Sequence, residues 1–338
     1  MVPSTNRPVR VLAAPDKFRG TATALEVCAA IEVAVFEAGG HCRKLPLADG
    51  GEGTLNVFGG GNRMTQVGGP LGSMVDARWS LEGQQAVIEM AEASGLLVAG
   101  GPTHNDPMQA TTRGTGQLIA TAMQHGATRI LVGLGGSATT DGGIGAVEAL
   151  LNTYTLSEIK SRNISVCVDV NTRFLDAATV FAAQKGASSA QIYELSMRLG
   201  RVRETYLQQF GVDVENIIGS GAAGGLAGGL AALGCRIVPG FDTLAKIADL
   251  DGAMYTADLV VTGEGKFDAQ SLRGKVVGGV IDRSGSRPVL VVCGAAERGV
   301  TVPPNVTVLP LLDTFGRDLA LNETTQCITA VVAQALSS

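Results

Sequence analysis

The chain has 338 residues, 45% of them hydrophobic, with 46 glycines and a net charge of −5 at neutral pH. That length predicts two domains rather than one, and the acidic balance argues against a nucleic-acid or anionic-membrane surface. The glycines follow no three-residue period, which excludes a fibre. They gather after apolar runs, where α/β proteins place binding loops.

In chain order, a first strand is predicted over residues 9–14, followed by the loop PDKFRG at 15–20. Thr23 and Glu26 have capping-box spacing and predict a helix start. Leu25, Cys28, Ile31 and Val35 mark its buried stripe, and Gly39-Gly40 stops it. A second strand, 42–48, runs into DGGEGT at 49–54. Residues 68–96 are turn-rich, with a short apolar run at 86–90. TTRGTG at 111–116 leads into a helix. A buried strand at 129–133 is followed by LGGSATTDGGIG at 134–145 and a helix from 146 to 151. A polar stretch, 152–163, connects to a buried run at 164–170, and 219–233 reads as a Gly/Ala-rich, closely packed helix entry. The tail predicts a strand at 258–262, an acidic loop at 263–268, a helix at 274–284, strands at 288–293 and 306–312, and a last helix at 319–336.

Strand–helix–strand alternation predicts a parallel sheet. The fold class expected is α/β: a Rossmann-like parallel-sheet domain, 1–66 with 252–338, carrying a second, different α/β domain inserted at 67–251. The six cysteines are scattered in apolar runs without a CxxC, as core thiols of a reducing compartment would be. The N-terminus lacks a signal-peptide core, and no stretch reaches the roughly 18 unbroken apolar residues of a membrane span. A cytoplasmic protein is expected.

The stretch at 134–145 carries the chemistry. Bare amides at a helix N-terminus bind phosphate or carboxylate, and Ser137, Thr139 and Thr140 add hydroxyl donors. Asp141 is out of place beside an anion: it holds Mg²⁺, accepts a proton, or caps the helix. Similar acidic, glycine-rich loops recur at 49–54 and 262–268. Asp16 and Lys17, with Arg19, follow the first strand, and Thr111 to Gly116 gives hydroxyls and Arg113 before a helix. Hard oxygen ligands, cationic donors and amide nests are the parts that phosphoryl transfer needs. There is no Walker A motif. GSGAAG at 219–224 matches GxGxxG, with Asp242 near the distance of a ribose-binding acid, but follows a poor strand and is weak evidence. The three histidines have no metal-ligand spacing.

These motifs, in this order, resemble the bacterial glycerate kinase family of the type without a P-loop. The segments are APDKFRGTATALE, LADGGEGT, GGPLG, VIEMAEASGL, ATTRGTG, GLGGSATTDGG, FAAQKGA, GSGAAGGL and VVTGEGKFDAQSLRGK, spanning residues 14–275. Three features depart from the pattern: the segment after Leu150 is short, residues 168–174 match the family's Asp- and Asn-containing stretch only loosely, and Lys17 and Arg19 stand where many members have Ser and Lys. The resemblance implies ATP- and Mg²⁺-dependent phosphorylation of D-glycerate, in many members at the 2-hydroxyl, by two α/β domains with the site in the cleft between them.

On that basis Lys17, Arg19 or Arg113 grips the substrate carboxylate, with Asp16 and Thr112 nearby. Asp141 is the expected base, with Asp49 second. Glu52, Glu264 and Asp268 orient Mg²⁺. Gly135, Gly136, Ser137 and Thr139, with Gly50 and Gly51, cradle phosphate, and Lys185 and Lys275 neutralise charge. A kinase for another small hydroxy acid, or a non-catalytic small-anion-binding regulator, would use the same loops. No nucleic-acid or membrane partner is expected, and a homo-oligomer stays open.

Overall fold

A computed structural model describes residues 7–272 and 275–337. The chain divides into two compact units, Met1–Asp49 with Phe241–Ser338 (unit 1) and Gly50–Gly240 (unit 2). Numbered along the chain, unit 1 supplies β1 (Arg10–Ala13), β2 (His41–Lys44), β9 (Leu259–Phe267), β10 (Val289–Ala296) and β11 (Val306–Pro310). Unit 2 supplies β3 (Arg63–Gly68), β4 (Met74–Glu82), β5 (Gln85–Glu89), β6 (Arg129–Gly133), β7 (Asn163–Val168) and β8 (Arg236–Pro239).

The unit 1 sheet is wholly parallel, in the order β11-β10-β9-β1-β2. It is doubly wound: Val11 and Ala13 face a core with the helices Ala24–Glu37 and Thr324–Ser337, while Leu12 and Ala14 face another with Val276–Ser284. The chain leaves β1 toward β2 on one side and returns to β9 on the other. That is a topological switch point, beyond whose strand ends such sheets bind ligands. Unit 2 is a mixed sheet in sequential order, β3 to β8, antiparallel through β5 and parallel from β5 onward.

The crossings between units fall at 49/50 and 240/241, earlier than the 66/67 and 251/252 expected. Residues 50–54 bond to unit 2, Leu134 N donating to Gly50 O at 3.0 Å. Phe241, Ala245, Leu250 and Met254 are core residues of unit 1.

The Thr23 capping box forms as expected, and Val27, Cys28, Ile31 and Ala34 are buried behind it. Leu25, assigned to the stripe, is 47% exposed because the buried face turns through Val27 instead. The acidic segment 263–268 is not a free loop: β9 continues to Phe267 because β10 pairs with it as far as Ala296. The last helix is two, Leu311–Asn322 and Thr324–Ser337. Gly274, the expected start of a helix observed as Val276–Ser284, lies outside the described residues. The turn-rich 68–96 holds β4 and β5.

Candidate active site

In unit 2 the glycine-rich stretch joins β6 to the helix Ile144–Leu151. Its first part is pressed against the loop 50–54. A Cβ at Gly135 would stand 2.6 Å from Gly51 Cα and collide with Glu52 N, so two expected phosphate loops touch, backbone to backbone. Gly50, at φ 90°, sits where a Cβ would lie 2.7 Å from both Cys167 Cβ and Gly240 Cα, so close packing requires glycine there. Gly135→Ala is expected to destabilise unit 2 by about 2 kcal/mol; an unchanged melting temperature would show that the loops part without cost.

Asp141 is 4% exposed, and its carboxylate is crowded with donors. Oδ2 accepts from Thr112 N and Oγ1, both at 2.8 Å, and at 3.4 Å from Thr111 Oγ1 and Gly145 N. Oδ1 accepts from Gly143 N at 3.0 Å. These amides open the helices Arg113–Gln124 and Ile144–Leu151, so the negative charge lies at two positive helix ends. A carboxylate offers about four lone-pair directions, and five donors occupy them. This is the geometry of a double helix cap, the structural alternative among its three sequence readings. Thr112 serves that cap through its amide and hydroxyl, and its Oγ1 accepts from Ala146 N at 3.0 Å.

Lys185 is buried, 2% exposed, and donates from Nζ to Thr139 O at 2.6 Å. Burial pulls its amine down to about 7, with the charge of Asp141 opposing that fall. Thr139 and Thr140 are fully buried, and their hydroxyls lack hydrogen-bond partners among the described residues. Gly136 is exposed, at φ 66°, with Ser137 half-buried beside it. Arg113 is exposed on the first turn of its helix.

Glu89 was missed by sequence reasoning. It ends β5, 6% exposed, and accepts from the amides of Leu55 and Gly53. Those amides open the short helix Thr54–Val57, so a side chain already takes the donors that a phosphate would use there. Burial raises the Glu89 carboxyl above its usual range, with the two amides working against it. A glutamate inside the apolar run AVIEM was the available signal. Glu52 is half-buried on the same loop.

In unit 1 the switch point gathers carboxylates. Asp16 follows β1, its amide donating to Gly263 O at 2.9 Å, and Thr262 Oγ1 donates to Ala14 O at 2.8 Å. These bonds lock the ends of β1 and β9 together. Asp16 pairs with Lys17 at 3.5 Å. Burial pushes its carboxyl up to about 6, against the pull of Lys17 and with the help of Asp49. Glu264, on β9, is pushed up to about 7 by burial, against a Ser271 hydrogen bond and the charge of Lys275, with Asp16 and Asp268 adding to the rise. Its Oε1 is buried with no hydrogen-bond partner among the described residues. Asp268 is engaged otherwise: Oδ1 accepts from Gln270 N at 2.9 Å and Oδ2 pairs with Lys266 at 3.2 Å. Lys275 is half-buried at the N-cap of Val276–Ser284, and Arg19 is exposed. Among the described residues no three His, Cys, Asp or Glu side chains gather as a metal-holding group. The GxGxxG match is no dinucleotide fingerprint, because Val214–Asn216 before it is a 3-10 turn and Asp242 pairs with Arg283 at 2.7 Å.

Comparison with known proteins bears directly on these loops. A sequence model of the glycerate kinase family matches residues 11–155 and 151–337. The chain belongs to the glycerate kinase family. It is 36% identical over 333 residues to the glycerate 2-kinase of Escherichia coli K12, covering 87% of each chain. It is also 36% identical over 330 residues to a glycerate kinase of Bacillus subtilis 168, covering 86% of each. A crystal structure described as a glycerate kinase 2 of Salmonella typhimurium LT2 superposes with a TM-score of 0.79 at 31% identity, covering 98% of both chains. No helix of the described residues is long and apolar enough to cross a membrane.

Proposed function

We propose that this chain transfers the γ-phosphoryl group of ATP to the 2-hydroxyl of D-glycerate. The observation that carries the reading is the chain-long likeness to a protein named glycerate 2-kinase. The site chemistry supports it. Glycerate is small and anionic, and the exposed Arg113 suits its carboxylate, which a guanidinium can hold in two parallel hydrogen bonds. Lys17, Arg19 and Lys275 supply positive charge near the switch point. The Gly135 and Gly136 amides with Ser137 form the phosphate cradle.

Asp141 is committed to its helix caps, so the role of base passes to Asp49, the second candidate. Asp49 is half-buried and close enough to Asp16 to raise its carboxyl. It takes the 2-hydroxyl proton as that oxygen bonds to the γ-phosphorus, and the bond from that phosphorus to the β–γ bridging oxygen breaks to leave ADP. Catalysis is chiefly positioning and electrostatics.

Two half-buried carboxyls held above their ordinary range, one with an oxygen that lacks a partner among the described residues, suit a hard divalent cation. Asp16 and Glu264 would hold Mg²⁺, with Asp268 reached through water. Bound there, the ion would neutralise charge on the phosphates. Mg²⁺ alone is expected to raise the melting temperature of the wild type, and to raise that of Glu264→Gln by less than half as much. An equal rise in both would remove Glu264 from the site. All six cysteines are free thiols, which fits a reducing compartment such as the cytoplasm.

ADP release from Mg²⁺-ATP, followed with a panel of D-glycerate, L-glycerate, glycolate, lactate and glycerol, tests the reading. D-glycerate is expected to give the highest kcat/KM. A better turnover of another acid would move the specificity, and ligand binding without any turnover would indicate a regulator.

A further inference from the structure

Residues 138–143 are held from several sides, and Lys185 grips them twice. Its ammonium donates to Thr139 O at 2.6 Å. Its own carbonyl is tied to the same loop by Asn105, whose Nδ2 donates to Lys185 O at 2.9 Å and to Ala138 O at 3.0 Å. On the other flank, Gly142 N donates to Gly224 O at 3.0 Å and Tyr206 OH donates to Gly142 O at 2.9 Å. The turn presenting Gly224 includes Ala223 at φ 55° and ψ 40°, a left-handed conformation that a residue with a Cβ rarely adopts.

A buried ammonium is an expensive way to hold one carbonyl. A methionine of similar length would fill the same space without desolvating a charge. The desolvation is evident in the amine itself, brought down to about 7. Groups retained against stability are characteristic of function.

We infer that Lys185 is a positioning residue for phosphoryl transfer: by fixing the Thr139 carbonyl it sets the course of residues 135–143, so that the Gly135 and Gly136 amides and Ser137 meet phosphate in one geometry. This rests on the phosphate-cradle reading given above. It differs from direct neutralisation of phosphate charge, because the ammonium acts through the loop and not on the ligand.

Lys185→Met separates this role from ordinary structural support. The variant is expected to melt less than about 8 °C below the wild type, since the Thr139 carbonyl loses its donor and Asp141 its nearby cation, to lose at least about tenfold in kcat per folded molecule, and to exchange the amides of residues 138–143 faster. Wild-type kcat in Lys185→Met would overturn the inference. So would a fall in melting temperature of about 8 °C or more with kcat unchanged per folded molecule, since the lysine would then be a plain brace. Amide exchange needs no substrate. If the wild type shows no glycerate-dependent turnover the kinase reading fails by itself, whereas unchanged exchange at 138–143 overturns the positioning role whatever the substrate is.

Discussion

Asp141→Asn is expected to lower the stability of unit 2 by about 2 kcal/mol, and Asp141→Ala by about 4 kcal/mol. The difference comes from the donors. An asparagine keeps one acceptor oxygen, which would turn to the crowded side and take the Thr112 amide and hydroxyl. Its NH₂ would then face the amide of Gly143, leaving one buried donor unpaired. Alanine leaves all five donors without the carboxylate, and Lys185 without its nearby opposite charge. For a unit of this size each kcal/mol shifts melting by about 2–4 °C, so the Asn variant should melt about 5 °C lower. At a temperature where it is folded, its kcat should fall by about tenfold or less, since the loop is loosened but no proton acceptor is lost. Calorimetry and turnover on one preparation decide between cap and base. Undiminished stability with a loss above a hundredfold would restore Asp141 as the base.

Asp49→Asn is expected to do the reverse, reducing kcat by about a hundredfold or more with little change in melting temperature. Asp49 is half-buried and its charge raises the carboxyl of Asp16, so the substitution relieves repulsion there, while the asparagine oxygen can still accept a hydrogen bond. KM for ATP should stay within about threefold, because the amide cradle is untouched. A folded Asp49→Asn protein with near-normal kcat would take the base assignment from Asp49.

Much of this architecture could be read from the sequence, because unit 1 obeys local rules. Its strands are short apolar runs, the Thr23 capping box is a sequence pattern with one geometry, and loops at strand ends carry the polar residues. The helix Ser189–Phe210 was not anticipated, for a physical reason. Only Leu195, Leu199, Val202 and Tyr206 along it are fully buried, so its apolar stripe is one residue wide and the rest is polar. The extension of β9 was hidden because TGEGKF reads as a turn, and its strand character comes from pairing with β10, a non-local partner.

At the candidate site, residue types were legible and their occupations were not. A carboxylate among glycines looks the same in sequence whether it accepts a substrate proton or five protein donors. Asp141 and Glu89 show that the difference lies in which amides fold back onto it. Lys185 was recognisable as a cation, but its near-complete burial arises from packing against residues far away in the chain. Glu264 also stands in an acidic, glycine-rich setting, and the fold leaves one of its oxygens without a hydrogen-bond partner among the described residues.

The most direct test is phosphorus NMR of the product formed from Mg²⁺-ATP and D-glycerate. A phosphate monoester split into a doublet by one adjacent proton, appearing with ADP and only when glycerate is present, is the predicted result and identifies 2-phosphoglycerate. A triplet, from the two protons of C3, would contradict the assignment of the 2-hydroxyl, and the absence of any monoester from folded protein would contradict glycerate phosphorylation itself.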